Sequence, residues 1–99
     1  MLYRETKKFP KDEAFGLTNQ IRRAAVSITS NIAEGFSRTG SDDKKRFYNI
    51  ALGSLTEIQN QILIARDIQY ITQNEFSKIA AQTVVVSKLL NGLKKISFI

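Results

Sequence analysis

The stretch that decides the fold is Phe47-Tyr48-Asn49-Ile50-Ala51-Leu52-Gly53-Ser54-Leu55-Thr56-Glu57-Ile58-Gln59-Asn60-Gln61-Ile62-Leu63-Ile64-Ala65. Within it Phe47, Ala51, Leu55, Ile58, Ile62 and Ala65 recur at steps of three and four, so on a helix they form one apolar stripe. The pattern runs back to Ser41, whose hydroxyl can accept a bond from a free backbone N–H of the first turn. Asp42 and Asp43 follow, where carboxylates favour the positive end of the helix dipole. Forward, the pattern persists to about Tyr70, which predicts a helix over residues 41–70, roughly 40 Å long at 1.5 Å per residue.

Working outward, Leu17, Ile21, Ala24, Ala25, Ile28, Ile32 and Phe36 share a face and predict a helix over residues 17–36, with Arg23, Ser27, Ser30 and Glu34 opposite. Gly35 to Gly40 is rich in turn formers and breaks that pattern. On the other side, Thr72-Gln73-Asn74-Glu75 is a capping box, in which each side chain satisfies a free backbone donor. It opens a helix over residues 73–97 with Phe76, Ile79, Thr83, Val86, Leu90 and Leu93 on one stripe. Val84, Val85 and Leu89 widen that stripe beyond what a single neighbour covers. Pro10 ends a short helix over residues 2–9 (Leu2, Tyr3, Thr6, Phe9), because proline lacks the donor and clashes with the preceding turn. Lys11 to Gly16 reads as a turn.

Short connections make neighbouring helices antiparallel. The expected fold is all-α: one domain over residues 1–99, an up-down antiparallel four-helix bundle with a truncated first helix. Two turns cannot cover a groove about 40 Å long, so another subunit is the expected cover.

The chain has 99 residues, no cysteine and no histidine. That excludes disulfides, thiolate metal sites and the commonest general base near neutral pH. Fifteen Lys and Arg stand against 9 Asp and Glu, a formal charge of +6, which favours anionic partners. The charged N-terminus is not a signal peptide and no apolar run suits a membrane span, so a cytoplasmic location is expected.

The block Phe15-Gly16-Leu17-Thr18-Asn19-Gln20-Ile21-Arg22-Arg23-Ala24-Ala25-Val26-Ser27-Ile28, followed by Ser30-Asn31-Ile32-Ala33-Glu34-Gly35, resembles the signature of the four-helix bundle proteins, also called 23S rRNA-intervening sequence proteins. Phe47, Ala51-Leu52-Gly53-Ser54-Leu55 with Glu57, and Leu89-Leu90-Asn91-Gly92-Leu93 fit as well. The resemblance runs from about Lys8 to the C-terminus. It implies a four-helix subunit, a ring-like homopentamer and no known enzymatic activity. The related accessory variability determinants of diversity-generating retroelements bind nucleic acid and a reverse transcriptase. Two departures stand out. The family usually has a longer first helix before the Thr6-Lys7-Lys8-Phe9-Pro10 equivalent, and Thr29 stands where proline is common, which predicts a straighter helix here.

At one pole of an antiparallel bundle, Arg38, Lys44, Lys45, Arg46, Lys88, Lys94 and Lys95 gather, offset by Glu34, Asp42 and Asp43. Around a ring such poles form a positive rim suited to phosphates. The plainer reading is a solvated helix end, with Lys94 and Lys95 answering the C-terminal dipole and Asp42 pairing with Arg46. Arg23, Ser27, Asn31, Glu34 and Glu57 are read as a structural polar network setting helix or subunit register rather than as a ligand site. Asp42 and Asp43 point about 100° apart on a helix and cannot converge on one metal. The serines lack a histidine base and no phosphate-binding glycine loop is present, so no catalytic, metal or cofactor residues are expected. The expected function is that of a non-enzymatic homo-oligomer binding RNA or DNA electrostatically, the alternative being a scaffold for a protein partner.

Overall fold

The computed structural model describes residues 11–97, with side chains from residue 16 onward. The short helix expected over residues 2–9 lies outside the described residues. Three helices follow: α1 (Lys11–Ser37), α2 (Ser41–Asp67) and α3 (Gln73–Ile96), with no strand among the described residues. The fold is all-α.

α1 begins at Lys11 rather than after Gly16, so the turn expected over residues 11–16 is helical. Gly16 has open space where a Cβ would stand, so it is no punctuation. α1 continues through Thr29, whose hydroxyl donates to the Val26 carbonyl at 3.0 Å.

α2 starts at Ser41 as expected, but the capping residue is the extended Gly40 (φ −86°, ψ 141°), and no side chain caps the helix. It ends at Asp67, short of Tyr70. Gln69 takes the left-handed conformation (φ 65°). Its N–H donates to the Arg66 carbonyl at 3.0 Å, while Tyr70 N–H reaches back to Ala65 at 2.8 Å. These are the two bonds of a Schellman stop, made with glutamine where glycine is usual. The capping box of α3 is formed: Glu75 N–H donates to Thr72 Oγ1 at 3.0 Å, and Thr72 N–H donates to Glu75 Oε1 at 2.8 Å.

Connectors over residues 38–40 and 68–72 are too short to span a helix, so the chain runs up, down and up. α1 and α3 each pack on α2 and hardly on one another. The Cα trace measures 52 × 23 × 14 Å. Three helices of about 2.3 Å Cα radius, spaced about 9 Å, would be roughly 23 Å wide in a row and about 14 Å in a triangle. The molecule is a row bent into a shallow trough. α2 supplies most of the core, with Tyr48, Ala51, Leu55, Ile58 and Ile62 against Ala24 and Ile28 of α1 and Leu90 of α3.

The packed interfaces carry two polar links. Ser54 Oγ donates to Ser27 Oγ at 2.8 Å, and Asn31 Nδ2 donates to the Ser27 carbonyl and hydroxyl at 2.7 and 3.2 Å. Between α2 and α3, Gln59 Nε2 donates to Thr83 Oγ1 at 3.1 Å, and Thr83 donates to the Ala80 carbonyl. Buried polar groups need such partners, and a one-step slip between helices would separate them.

Candidate nucleic-acid interface

The pole where α1 ends, α2 begins and α3 ends holds the basic residues in two groups. At the α1–α2 corner are Arg38, Lys44, Lys45 and Arg46. Lys44 is committed to structure, since its Nζ donates to the Gly35 and Phe36 carbonyls at 3.0 and 3.3 Å. These are among the last carbonyls of α1, which have no acceptor role within the helix, and a cation there also answers the helix dipole. Lys45 lies 3.6 Å from Asp42 Oδ1. Asp42 therefore meets Lys45 rather than Arg46.

Arg46 turns instead to the neighbouring ring, its guanidinium carbon 4.8 Å from the Phe47 centroid. Arg38 approaches the same ring at 4.9 Å and is held by Glu34 Oε2 at 2.9 Å. Both distances lie within the roughly 6 Å reach of a cation–π contact. The second group is on α3, where Lys88, Lys94 and Lys95 line a shallow depression with Asn91 and Gly92. Among the described residues none of these three lysines makes an ion pair.

The polar constellation expected to be one network occupies three places. Ser27 and Asn31 form the link to Ser54 within the α1–α2 interface. Arg23 and Glu57 are exposed and line an open crevice between α1 and α2 with Gln20, Asn60, Gln61 and Ile64, with no ion pair between them. Gln61 Oε1 is buried there without a hydrogen-bond partner among the described residues. Glu34 sits at the pole with Arg38. Helical spacing put Arg23, Ser27 and Glu34 on the face opposite the apolar stripe, yet Ser27 is half-buried against α2, while Arg23, Glu34 and Glu57 are exposed.

The concave side of the row is apolar. Ile21, Ala25 and Ile28 of α1, Leu55 and Ile58 of α2, and Ile79 and Val86 of α3 line a trough of about 340 Å³, with Thr29, Gln82 and Thr83. Its lips continue outward, since Phe36 follows Thr29 by two turns, and Leu89 and Ile96 follow Gln82 by two and four. Phe36 is 61% exposed, Leu89 54% and Ile96 60%. Val84 and Val85 add exposed apolar surface on α3. Isolated exposed apolar residues are ordinary, but a contiguous patch joined to a groove marks an interaction surface.

Sequence reasoning missed two features. Phe47 was placed in the buried stripe, yet it is half-buried under two arginines, and only its position beside Arg46 signalled this. Ser54 has no place in the expected polar network, although it is buried and pairs with Ser27. Among the described residues no three acidic side chains gather as metal ligands, and no helix is long and apolar enough to cross a membrane.

Compared with known families, residues 1–92 match the model described as 23S rRNA-intervening sequence protein. None of the curated proteins compared with the chain matches it.

Proposed function

The chain belongs to the 23S rRNA-intervening sequence protein family, and from that premise we propose that it is a non-enzymatic homo-oligomer that binds nucleic acid through its basic pole. The observation that carries the reading is the pairing of two unfinished surfaces. One is the apolar trough between α1 and α3; the other is the α3 depression whose lysines have no carboxylate partner among the described residues. Copies that bury the trough against one another bring their poles together, and pooled cations release more counterions per binding event than one pole can. Five copies in a ring is the arrangement we propose, on the family resemblance. The location proposed is the cytoplasm, and the reading needs no metal or cofactor.

The affinity is mainly electrostatic and weakly sequence-specific, so it falls steeply with salt. Solution mass by light scattering tests the assembly, and fluorescence anisotropy with structured RNA and duplex DNA, from low to physiological salt, tests the binding. A monomer at micromolar concentration refutes the pooled rim, and no binding at low salt refutes the nucleic-acid role. Val84 and Val85, exposed on α3 and outside the trough lining, favour one second reading, a scaffold for a protein partner. Co-purification of a partner lost on changing those two valines, with no nucleic-acid binding, would select it.

A further inference from the structure

We infer that Arg38, Phe47 and Arg46 form a pre-ordered clamp for nearby phosphates of a single nucleic-acid strand, an inference that rests on the nucleic-acid reading above. The two guanidinium carbons lie 4.9 and 4.8 Å from one ring centroid, so they are at most 9.7 Å apart. One strand carries a phosphate per roughly 3.4 Å of axis, so two cations within this limit address phosphates no more than about three steps apart on the same strand.

Order combined with free donors separates these arginines from their lysine neighbours, since Lys44 is spent on the Gly35 and Phe36 carbonyls and Lys45 faces Asp42. An arginine on a bare surface loses rotamer freedom when it grips an anion, whereas one already resting on an aromatic face has lost part of that freedom beforehand. Glu34 fixes Arg38 further through one terminal nitrogen, at 2.9 Å. The guanidinium has five donors, so the contact with Glu34 leaves others for phosphate. The same carboxylate also offsets the charge of Arg38, so it limits the affinity that it helps to organise. Both arginines are exposed, and their planar forks match phosphate oxygens bidentately in a way that an ammonium cannot.

The competing explanation is that the arginines merely cover a half-buried phenylalanine. Binding of oligouridylate RNA by the full chain separates the two. In the double variant R38K/R46K the charge count is preserved, so the slope of log affinity against log salt stays as in the wild type while affinity drops about tenfold. In R38A/R46A the slope itself falls by about 1.4, from roughly 0.7 per phosphate contact on a single strand. Phe47→Leu keeps both charges and an apolar side chain but removes the aromatic face, and it weakens binding several-fold. Glu34→Gln strengthens it. Circular dichroism confirms folding of each variant, and R38K/R46K, which alters only two exposed positions, keeps the test decisive if Phe47→Leu does not fold. Wild-type binding with R38K/R46K unchanged overturns the clamp and leaves the nucleic-acid role standing. Failure of the wild type to bind at low salt overturns both.

Discussion

Replacing Gly35 by alanine sets two effects of known size against each other. Gly35 is buried near the end of α1, and a Cβ built on it would stand 2.8 Å from Cζ and 2.9 Å from Cδ1 of Tyr48, against 3.4 Å or more in ordinary contact. The ring cannot step aside. Tyr48 is 2% exposed, and the Phe36 ring meets it edge-on with centroids 6.2 Å apart. α1 and α2 must therefore separate locally, and overpacking of this kind costs about 1–3 kcal/mol. Alanine's better helix propensity returns about 1 kcal/mol. Gly53 provides the control, because it is helical and has nothing within 4 Å of the added carbon. Gly53→Ala should gain up to about 1 kcal/mol, while Gly35→Ala loses up to about 2 kcal/mol net. At about 4–8 °C per kcal/mol for a domain of this size, the two variants should melt on opposite sides of the wild type. Thermal and urea unfolding followed by far-UV circular dichroism, at one fixed protein concentration, reads the difference. In a Tyr48→Leu background the alanine penalty should shrink, which ties it to the ring. Gly35→Ala melting at or above the wild type would refute the reasoning.

Three further outcomes follow from the same geometry. Gln69→Gly relieves the left-handed backbone at the α2 stop; because glycine also gains freedom in the unfolded chain, the net stabilisation should be about 0.5–1 kcal/mol, and a lower melting temperature would count against the Schellman assignment. Burial pushes the Tyr48 hydroxyl above its ordinary 10.0, so the folded chain holds this proton longer than the unfolded one, and stability is full below pH 10 and falls as pH rises beyond it. Tyr48→Phe should flatten that alkaline loss in urea titrations, and an unchanged slope would remove Tyr48 as its source. Leu89→Glu places a charge on an exposed lip of the trough, which costs little in a free subunit but much in a covered one. Its solution mass should fall toward the subunit's 11.2 kDa with helicity intact, and an unchanged assembly would move the interface elsewhere.

Periodicity and local chemistry made much of this structure readable in advance. Ala51, Leu55, Ile58, Ile62 and Ala65 are buried as their spacing requires, and the Thr72–Glu75 box forms because its residues are sequence neighbours. Each misreading has its own physical reason. Gly16 looked like punctuation, but a glycine inside a helix costs only about 1 kcal/mol, which tertiary packing overrides. The end of α2 went unmarked because Gln69 does what glycine usually signals. Phe36 shares its stripe with buried residues yet stands on a lip, since the stripe is wider than α2 alone can cover. At the pole, sequence located the cations but not their engagements, because Lys44, Arg38 and Arg46 are occupied by groups up to nine residues away.

The bent row has a kinetic consequence. Among the described residues every substantial helix contact joins elements adjacent along the chain, α1 with α2 and α2 with α3, so these two hairpins can zip without a costly long-range closure. The same economy leaves α3 anchored on one side only, with Thr83 and Leu90 its only buried residues in the described chain. Amide exchange should therefore be fastest in α3 and slowest in the middle of α2. Covering the trough in an assembly should slow that exchange in α3 before it changes α2.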